Sequence, residues 1–219
     1  QVGTGLTNDV LVPTRVGTAA DWDHASLGDA HACGVRGDGT LWCWGENSNG
    51  QLGVSGTTDR TVPTPVGVLT TWAMVEAGSV HTCAVRTDGT LWCWGDGAYG
   101  KLGLGVDLTD RTTPVQVGSL VLWTAVTASE NHTCALQLDG SLWCTGRNDQ
   151  GQNGDNTQTQ ASSFTLVAGG HTWLSARAGA SHTCALRADL APFCWGYNVY
   201  GQVGDNTTLL KKVPTLVLD

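Results

Sequence analysis

The sequence predicts an all-β chain of propeller-type blades: four repeats of about 50 residues, forming an open arc or part of a larger propeller. Three observations carry this. Cysteines recur at 33, 83, 134 and 184 and again at 43, 93, 144 and 194, so both series step by 50, 51 and 50 residues. The same step carries Trp22, Trp72, Trp123 and Trp173, then His31, His81, His132 and His182, and Trp44, Trp94 and Trp195. Within each copy the apolar pattern alternates with period two over runs too short for helices. Thirty glycines in 219 residues supply the corners such short strands need. A fixed period of this length is the mark of a repeat architecture.

We place the repeats at approximately 18–66, 67–117, 118–167 and 168–217, within one repeat domain spanning 1–219, with 1–17 a partial repeat segment. The second copy shows the local logic best. Trp72 opens it, Gly78 turns the chain, and His81 to Arg86 reads as a strand. Asp88-Gly89 then signals a hairpin, as do Asp38-Gly39 and Asp139-Gly140, because glycine adopts positive φ without steric cost. TLWCWG is the returning strand, and Gly100 to Gly103 marks a further corner. A Thr- and Asp-rich loop follows, leading through Pro114 to an extended piece that ends near Val117, as Pro63 leads to Val66. Proline suits an edge strand, which need not donate every ladder bond. Three to four short strands per copy is the density of a propeller blade.

The motif G-x-x-H-T-C-A-x-x-x-D-G-T-L-W-C-W-G at 78–95, with a following G-Q-x-G as at 201–204, resembles the regulator of chromosome condensation repeat family. The resemblance spans nearly the whole chain and implies a β-propeller fold. The cysteine pair inside the motif is similar to the secreted bacterial branch of that family. Members include a nuclear nucleotide-exchange factor, a plant ultraviolet photoreceptor and a bacterial β-lactamase inhibitor, so the resemblance implies a fold without fixing a function. The photoreceptor branch places Trp-Arg between the motif's Gly and His; here those positions hold Asp29-Ala30, Ser79-Val80, Glu130-Asn131 and Ala180-Ser181.

The third and fourth copies depart from the pattern. Thr145 stands where 44, 94 and 195 carry Trp, Asn153 replaces an apolar residue, and Ser129 replaces the Gly of 28, 78 and 179. The last hairpin reads Asp189-Leu190-Ala191-Pro192 and lacks the Asp-Gly turn.

Counting back from a three-residue turn at Thr87-Asp88-Gly89 sets Val85 opposite Leu91, Ala84 opposite Trp92 and Cys83 opposite Cys93. A non-hydrogen-bonded pair holds its Cα atoms about 4.5 Å apart, within reach of a disulfide. We therefore expect Cys33–Cys43, Cys83–Cys93, Cys134–Cys144 and Cys184–Cys194, the last least secure because Pro192 alters its loop. The competing reading is a metal site, since His-x-Cys plus a second Cys offers three ligands per copy. Structural zinc, however, favours closely paired cysteines and four ligands. Disulfides in every repeat point to an oxidising compartment, extracellular or at the cell surface.

Composition excludes several function classes. With 19 acidic against 11 basic residues the net charge is −8, which disfavours nucleic acid as a partner. No apolar run approaches the roughly 18–20 residues of a membrane span. There is no G-x-S-x-G elbow, P-loop or H-E-x-x-H, and no cofactor or metal is expected. A histidine present in every copy reads as blade packing, because an active site breaks symmetry. His24 and His171 lie outside the period and are expected on the surface. Asn131 and Asn206 begin N-x-T sequons, candidate glycosylation sites.

Gln1-Val2-Gly3 aligns with Gln51-Leu52-Gly53, and 201–217 is a further copy of that segment, so four cores are flanked by five such segments. This surplus, and a start at Gln1, fit an open arc within a processed or longer chain. The expected function is a non-catalytic extracellular protein-binding module whose partner is another protein or copies of itself. Its candidate contact residues lie in the variable loops: Asp59, Arg60, Asp110, Arg111, Lys211 and Lys212. The alternatives are a structural subunit of a surface assembly, in which neighbouring chains complete the propeller, and an enzyme inhibitor resembling the β-lactamase inhibitor.

Overall fold

The computed structural model describes residues 1–120 and 122–218; Asp219, the last residue of the expected domain, lies outside them. Sixteen strands form four antiparallel four-stranded sheets, each a simple meander. The first blade contains β1 (Trp22–Leu27), β2 (His31–Arg36), β3 (Leu41–Gly45) and β4 (Arg60–Pro65). The second contains β5 (Trp72–Ala77), β6 (His81–Arg86), β7 (Leu91–Gly95) and β8 (Arg111–Gln116). The third contains β9 (Trp123–Ala128), β10 (His132–Gln137), β11 (Leu142–Gly146) and β12 (Ala161–Leu166). The fourth contains β13 (Trp173–Ala178), β14 (His182–Arg187), β15 (Pro192–Gly196) and β16 (Lys211–Leu216). Among the described residues one 3-10 turn, Ala98–Gly100, accompanies the strands.

The hairpin register is the one the spacing predicts. Val85 faces Leu91, Ala84 faces Trp92 and Cys83 faces Cys93. All four expected disulfides are present, each with Cα atoms 4.1 Å apart. Every cysteine is thereby used, which leaves no thiolate for a metal. The Cys184–Cys194 hairpin keeps the common register in spite of Pro192, because Leu190 takes up the left-handed backbone that glycine adopts in the other three turns, at φ 70°. That strain costs on the order of 1 kcal/mol, less than the ladder and disulfide it preserves. Pro63, Pro65, Pro114 and Pro214 sit in β4, β8 and β16, the outer strands, where a partial ladder with a bulge tolerates a missing N–H.

The core lies between blades. One buried cluster joins Cys33, Val35, Leu41 and Cys43 of the first blade to Trp72, Val75, Ala84 and Trp94 of the second. Two further clusters join the second to the third and the third to the fourth.

Thr145 marks a compensated exchange. In blades 1, 2 and 4 an indole sits beneath the tetrad glycine, so that a Cβ on Gly3, Gly53 or Gly154 would lie 2.5–2.7 Å from Trp44, Trp94 or Trp195. Each of those indoles packs on the Trp that opens its inner strand, with centroids 5.8, 6.1 and 5.8 Å apart. In blade 3 the corresponding ring is Phe164, 5.3 Å from Trp123 and 2.5 Å from a Cβ on Gly103. Phe164 occupies the place of Pro63, Pro114 and Pro214 in the neighbouring strand. Trp→Thr in one strand and Pro→Phe in the next therefore restore one aromatic pair. Phe164→Pro is expected to cost about 3 kcal/mol or more in urea unfolding. Adding Thr145→Trp should recover most of that loss, with a coupling of about 2 kcal/mol in the double-mutant cycle.

Candidate functional site

Each blade is joined to the next by a repeated hydrogen-bonded relay. His31 Nε2 lies 2.9 Å from Thr82 Oγ1, which donates to the Gln51 carbonyl at 2.8 Å. His81 meets Thr133 at 2.8 Å, and Thr133 donates to the Lys101 carbonyl. His132 meets Thr183 at 2.8 Å, and Thr183 donates to the Gln152 carbonyl. A threonine has one hydroxyl proton, and here the carbonyl takes it. The imidazole must therefore donate from Nε2, so that the neutral ring carries its lone pair on Nδ1.

Burial keeps the rings neutral. It pushes His31 down to about 4, against a weaker opposing pull from Asp29, and His132 down to about 3. His81 lies well below its ordinary value through burial, reinforced by the positive charge of Lys101. In blade 3 the Ser129 hydroxyl stands 2.7 Å from His132 Nδ1, a polar contact that the glycines at 28 and 78 cannot make.

Two further contacts recur at the junctions. Trp94 and Trp195 donate their indole N–H to the carbonyls of Gln51 and Gln152. The loop after each tetrad docks on the next outer strand through Ser55 N–H to Thr112, Gly105 N–H to Ser162 and Asn156 N–H to Lys212. The N-terminal segment treats the first blade in the same manner: Gln1 accepts the Trp44 indole N–H at 2.8 Å, and Gly5 donates to Thr61. Lys101, buried where the other tetrads carry Gln, pairs with Asp96 at 2.5 Å.

The fourth blade carries the same groups with nothing across from them. Among the described residues no hydrogen bond reaches His182 Nε2, the Gln202 carbonyl or the Asn206 N–H, and none joins this blade to the first. A Cβ on Gly201 would meet nothing within 4 Å, whereas one on Gly50, Gly100 or Gly151 would strike the adjoining blade. His182 is correspondingly only partly buried, and burial lowers it less decisively.

The variable-loop charges are largely committed within the chain. The Asp59 carboxylate accepts from Asn47 N–H and that of Asp110 from Gly97 N–H. Arg60 donates to the Asp59 carbonyl, Arg111 pairs with Asp107, and Lys211 pairs with Asp205. Lys212 is exposed with its backbone against Gly151. Asn206 is exposed, while Asn131 is half-buried and its carbonyl accepts from Arg147. His24 and His171 are half-buried, contrary to the surface placement expected for them: His171 packs 5.2 Å from both Trp173 and Phe193. No helix among the described residues is long and apolar enough to cross a membrane.

Family comparison matches the Regulator of chromosome condensation (RCC1) repeat at 38–85 and 88–136, and a second version of that repeat at 22–51 and 123–152. Together they cover more than half of the chain. The chain belongs to the RCC1 repeat family. No curated protein sequence matches it. Among solved structures, yeast RCC1 (Prp20) bound to Kap60 aligns with a TM-score of 0.82 at 24% identity, over 95% of this chain and 50% of that one. Human WBSCR16 aligns with 0.84 at 20% identity, over 94% and 55%. The ectodomain of the Physcomitrella patens receptor kinase CR4 aligns with 0.54 at 26% identity, over 87% and 46%. The chain thus spans about half of each of these three structures, and the likeness to the yeast and human proteins is one of fold.

Proposed function

We propose that this RCC1-repeat chain is a non-catalytic, extracellular protein-binding module. The observation that carries the reading is the contrast between a repeated, disulfide-stapled scaffold and the surfaces where the repetition fails. Hairpins, disulfides and most junction contacts recur from blade to blade, whereas the loops 54–62, 104–113, 155–163 and 205–212 differ in every copy. Rigid elements that carry variable loops form a common arrangement for recognition. The yeast relative, solved with Kap60 and described for its binding to Gsp1p and histones, is a protein binder on this fold. Four disulfides support an oxidising, extracellular setting.

A second reading, the structural subunit of a surface assembly, draws on the uncovered fourth blade. The two separate in one experiment. Proteins retained from the source's extracellular fluid by the immobilised chain are identified, purified and titrated against it. A partner that binds the wild type but not Arg60→Glu/Lys212→Glu, with the thermal midpoint unchanged, supports the binding module. Retention of the chain alone supports the assembly subunit. Turnover of a retained molecule contradicts both.

A further inference from the structure

We propose that a cavity beside the second blade is an anchor site for one aromatic side chain, carried on an exposed segment of a protein partner. This rests on the protein-binding reading and names the chemistry by which such a partner is held. The cavity measures about 300 Å³, and its walls are chiefly Trp72, Trp92, Val54, Pro65, Leu69 and Pro114. Trp72 opens β5, Trp92 stands on β7, and the two prolines belong to the outer strands β4 and β8, where the missing N–H keeps the wall apolar. None of the lining residues is charged, so an ion entering the cavity would lose its water without meeting a counter-charge. Nearby donors are already used: the Trp92 indole N–H donates to Thr90 Oγ1 at 2.8 Å, and the Ser55 N–H to the Thr112 carbonyl. What remains is ring faces and aliphatic edges, in a volume at the lower limit for a ligand pocket. An aromatic anchor seated in such a pocket carries a large share of an interface's affinity.

The other blades show what this position accepts. In the fourth, Trp173 and Phe193 repeat Trp72 and Trp92, and the His171 imidazole rests against both rings, 5.2 Å from each centroid. In the first, Trp22 and Trp42 hold the Arg36 guanidinium, 4.8 and 3.9 Å from their ring centres. The adjoining cavity there is walled by Arg36 and Asp21 and is therefore charged. In both blades a planar group of the chain itself covers the aromatic pair. The second blade lacks either plug. Thr70 stands where His171 does, two residues ahead of the opening Trp. Arg86, the counterpart of Arg36, is drawn to Thr71 Oγ1 at 2.8 Å and to Asp88 at 3.5 Å, which leaves its guanidinium 5.6 Å from Trp92. The Trp72–Trp92 pair, edge to face with centroids 6.2 Å apart, is thereby open to a ring from outside. Leu69 at the mouth is 42% exposed and Val68 beside it 93%, an apolar lip that the segment flanking the ring would cover.

The probe is N-acetyl-phenylalaninamide, titrated into the 219-residue chain and followed by NMR at the Trp72 and Trp92 indoles and the Leu69 methyls. Saturable shifts at these three residues are expected, with a dissociation constant of about 1 mM, the strength that so few non-hydrogen atoms supply. N-acetyl-argininamide should bind about fivefold or more weakly, because no carboxylate lines the cavity. Equal binding of the two overturns the choice of an aromatic over a cationic anchor. A capped Gly-Ser-Phe-Ser-Gly peptide should bind no more weakly than the amide; weaker binding overturns the assignment to a protein segment. Thr70→His, which supplies the plug of the fourth blade, should weaken the amide about fivefold or more, and so should Leu69→Glu at the mouth, both with the thermal midpoint unchanged. Shifts that never saturate, or that either folded variant leaves unaltered, overturn the site. Failure here is distinct from failure of the protein-binding reading, since the Arg60→Glu/Lys212→Glu comparison uses the natural partner and this titration uses the capped amide alone.

Discussion

Between about pH 7 and pH 5 the chain is expected to lose about 2 kcal/mol of stability for each of His31 and His132, with His81 adding in the same direction. The sign follows from the depressed values. Each ring is neutral when folded, with His31 at about 4 and His132 at about 3, against 6.5 when unfolded. Above 6.5 neither state binds the proton and the full stability is present. Below 6.5 the unfolded chain takes up protons that the folded chain refuses, and the loss continues until the folded value is reached. Lower still, Asp107, Asp189 and Asp205, which hydrogen bonds and paired cations hold down at about 2, add to the loss. Since a domain carries only about 5–15 kcal/mol in total, acid unfolding should begin while most carboxylates are still ionised. Urea unfolding at about pH 7 and pH 5 checks this, and equal midpoints would contradict it. The protonated ring fails for a structural reason: at His31 and His81 the Nδ1 atom is buried with no acceptor in reach.

Cys83→Ala with Cys93→Ala is expected to cost about 3 kcal/mol, mainly by releasing a short loop in the unfolded chain. Both sulfurs are fully buried in the cluster that holds Leu91, Leu102 and Trp123, so repacking offsets little. The same burial predicts an order of reduction. Cys184 is only partly buried, on the blade with one face uncovered among the described residues, whereas the cysteines of the first three blades are inaccessible. Under mild reductant, mass spectrometry of trapped thiols should find Cys184 and Cys194 free first. Simultaneous loss of all four bridges would contradict the exposed fourth face.

What could be read from the sequence was local. The spacing of Cys83 and Cys93 around Asp88-Gly89 determines a register, because pairs in a hairpin are counted from the turn. The junction relay could not be counted in this way. His31 and Thr82 lie 51 residues apart and meet only when two sheets pack face to face. The signal was present, since threonine follows histidine in three copies and Ala32 breaks the series, but its meaning requires the neighbouring blade. Thr145 was visible as a departure and Phe164 was not, although both fall in the third copy, because their common cause is one ring position shared by two strands. Pro192 suggested an altered hairpin; the ladder and the disulfide held the register and moved the strain into Leu190. The charges of the variable loops looked free, yet Arg111 and Lys211 have carboxylates four and six residues away that take them up.

Neutral, buried histidines join successive blades, and among the described residues no blade lies across from His182. NMR titration of the four periodic imidazoles tests this in one measurement on the 219-residue chain. His31, His81 and His132 are expected to stay neutral through about pH 5, while His182 protonates first and nearer its ordinary value. A His182 as resistant as His132 would mean that the fourth face is covered, and a His81 titrating near 6.5 would mean that the junctions are not built on the relay at all.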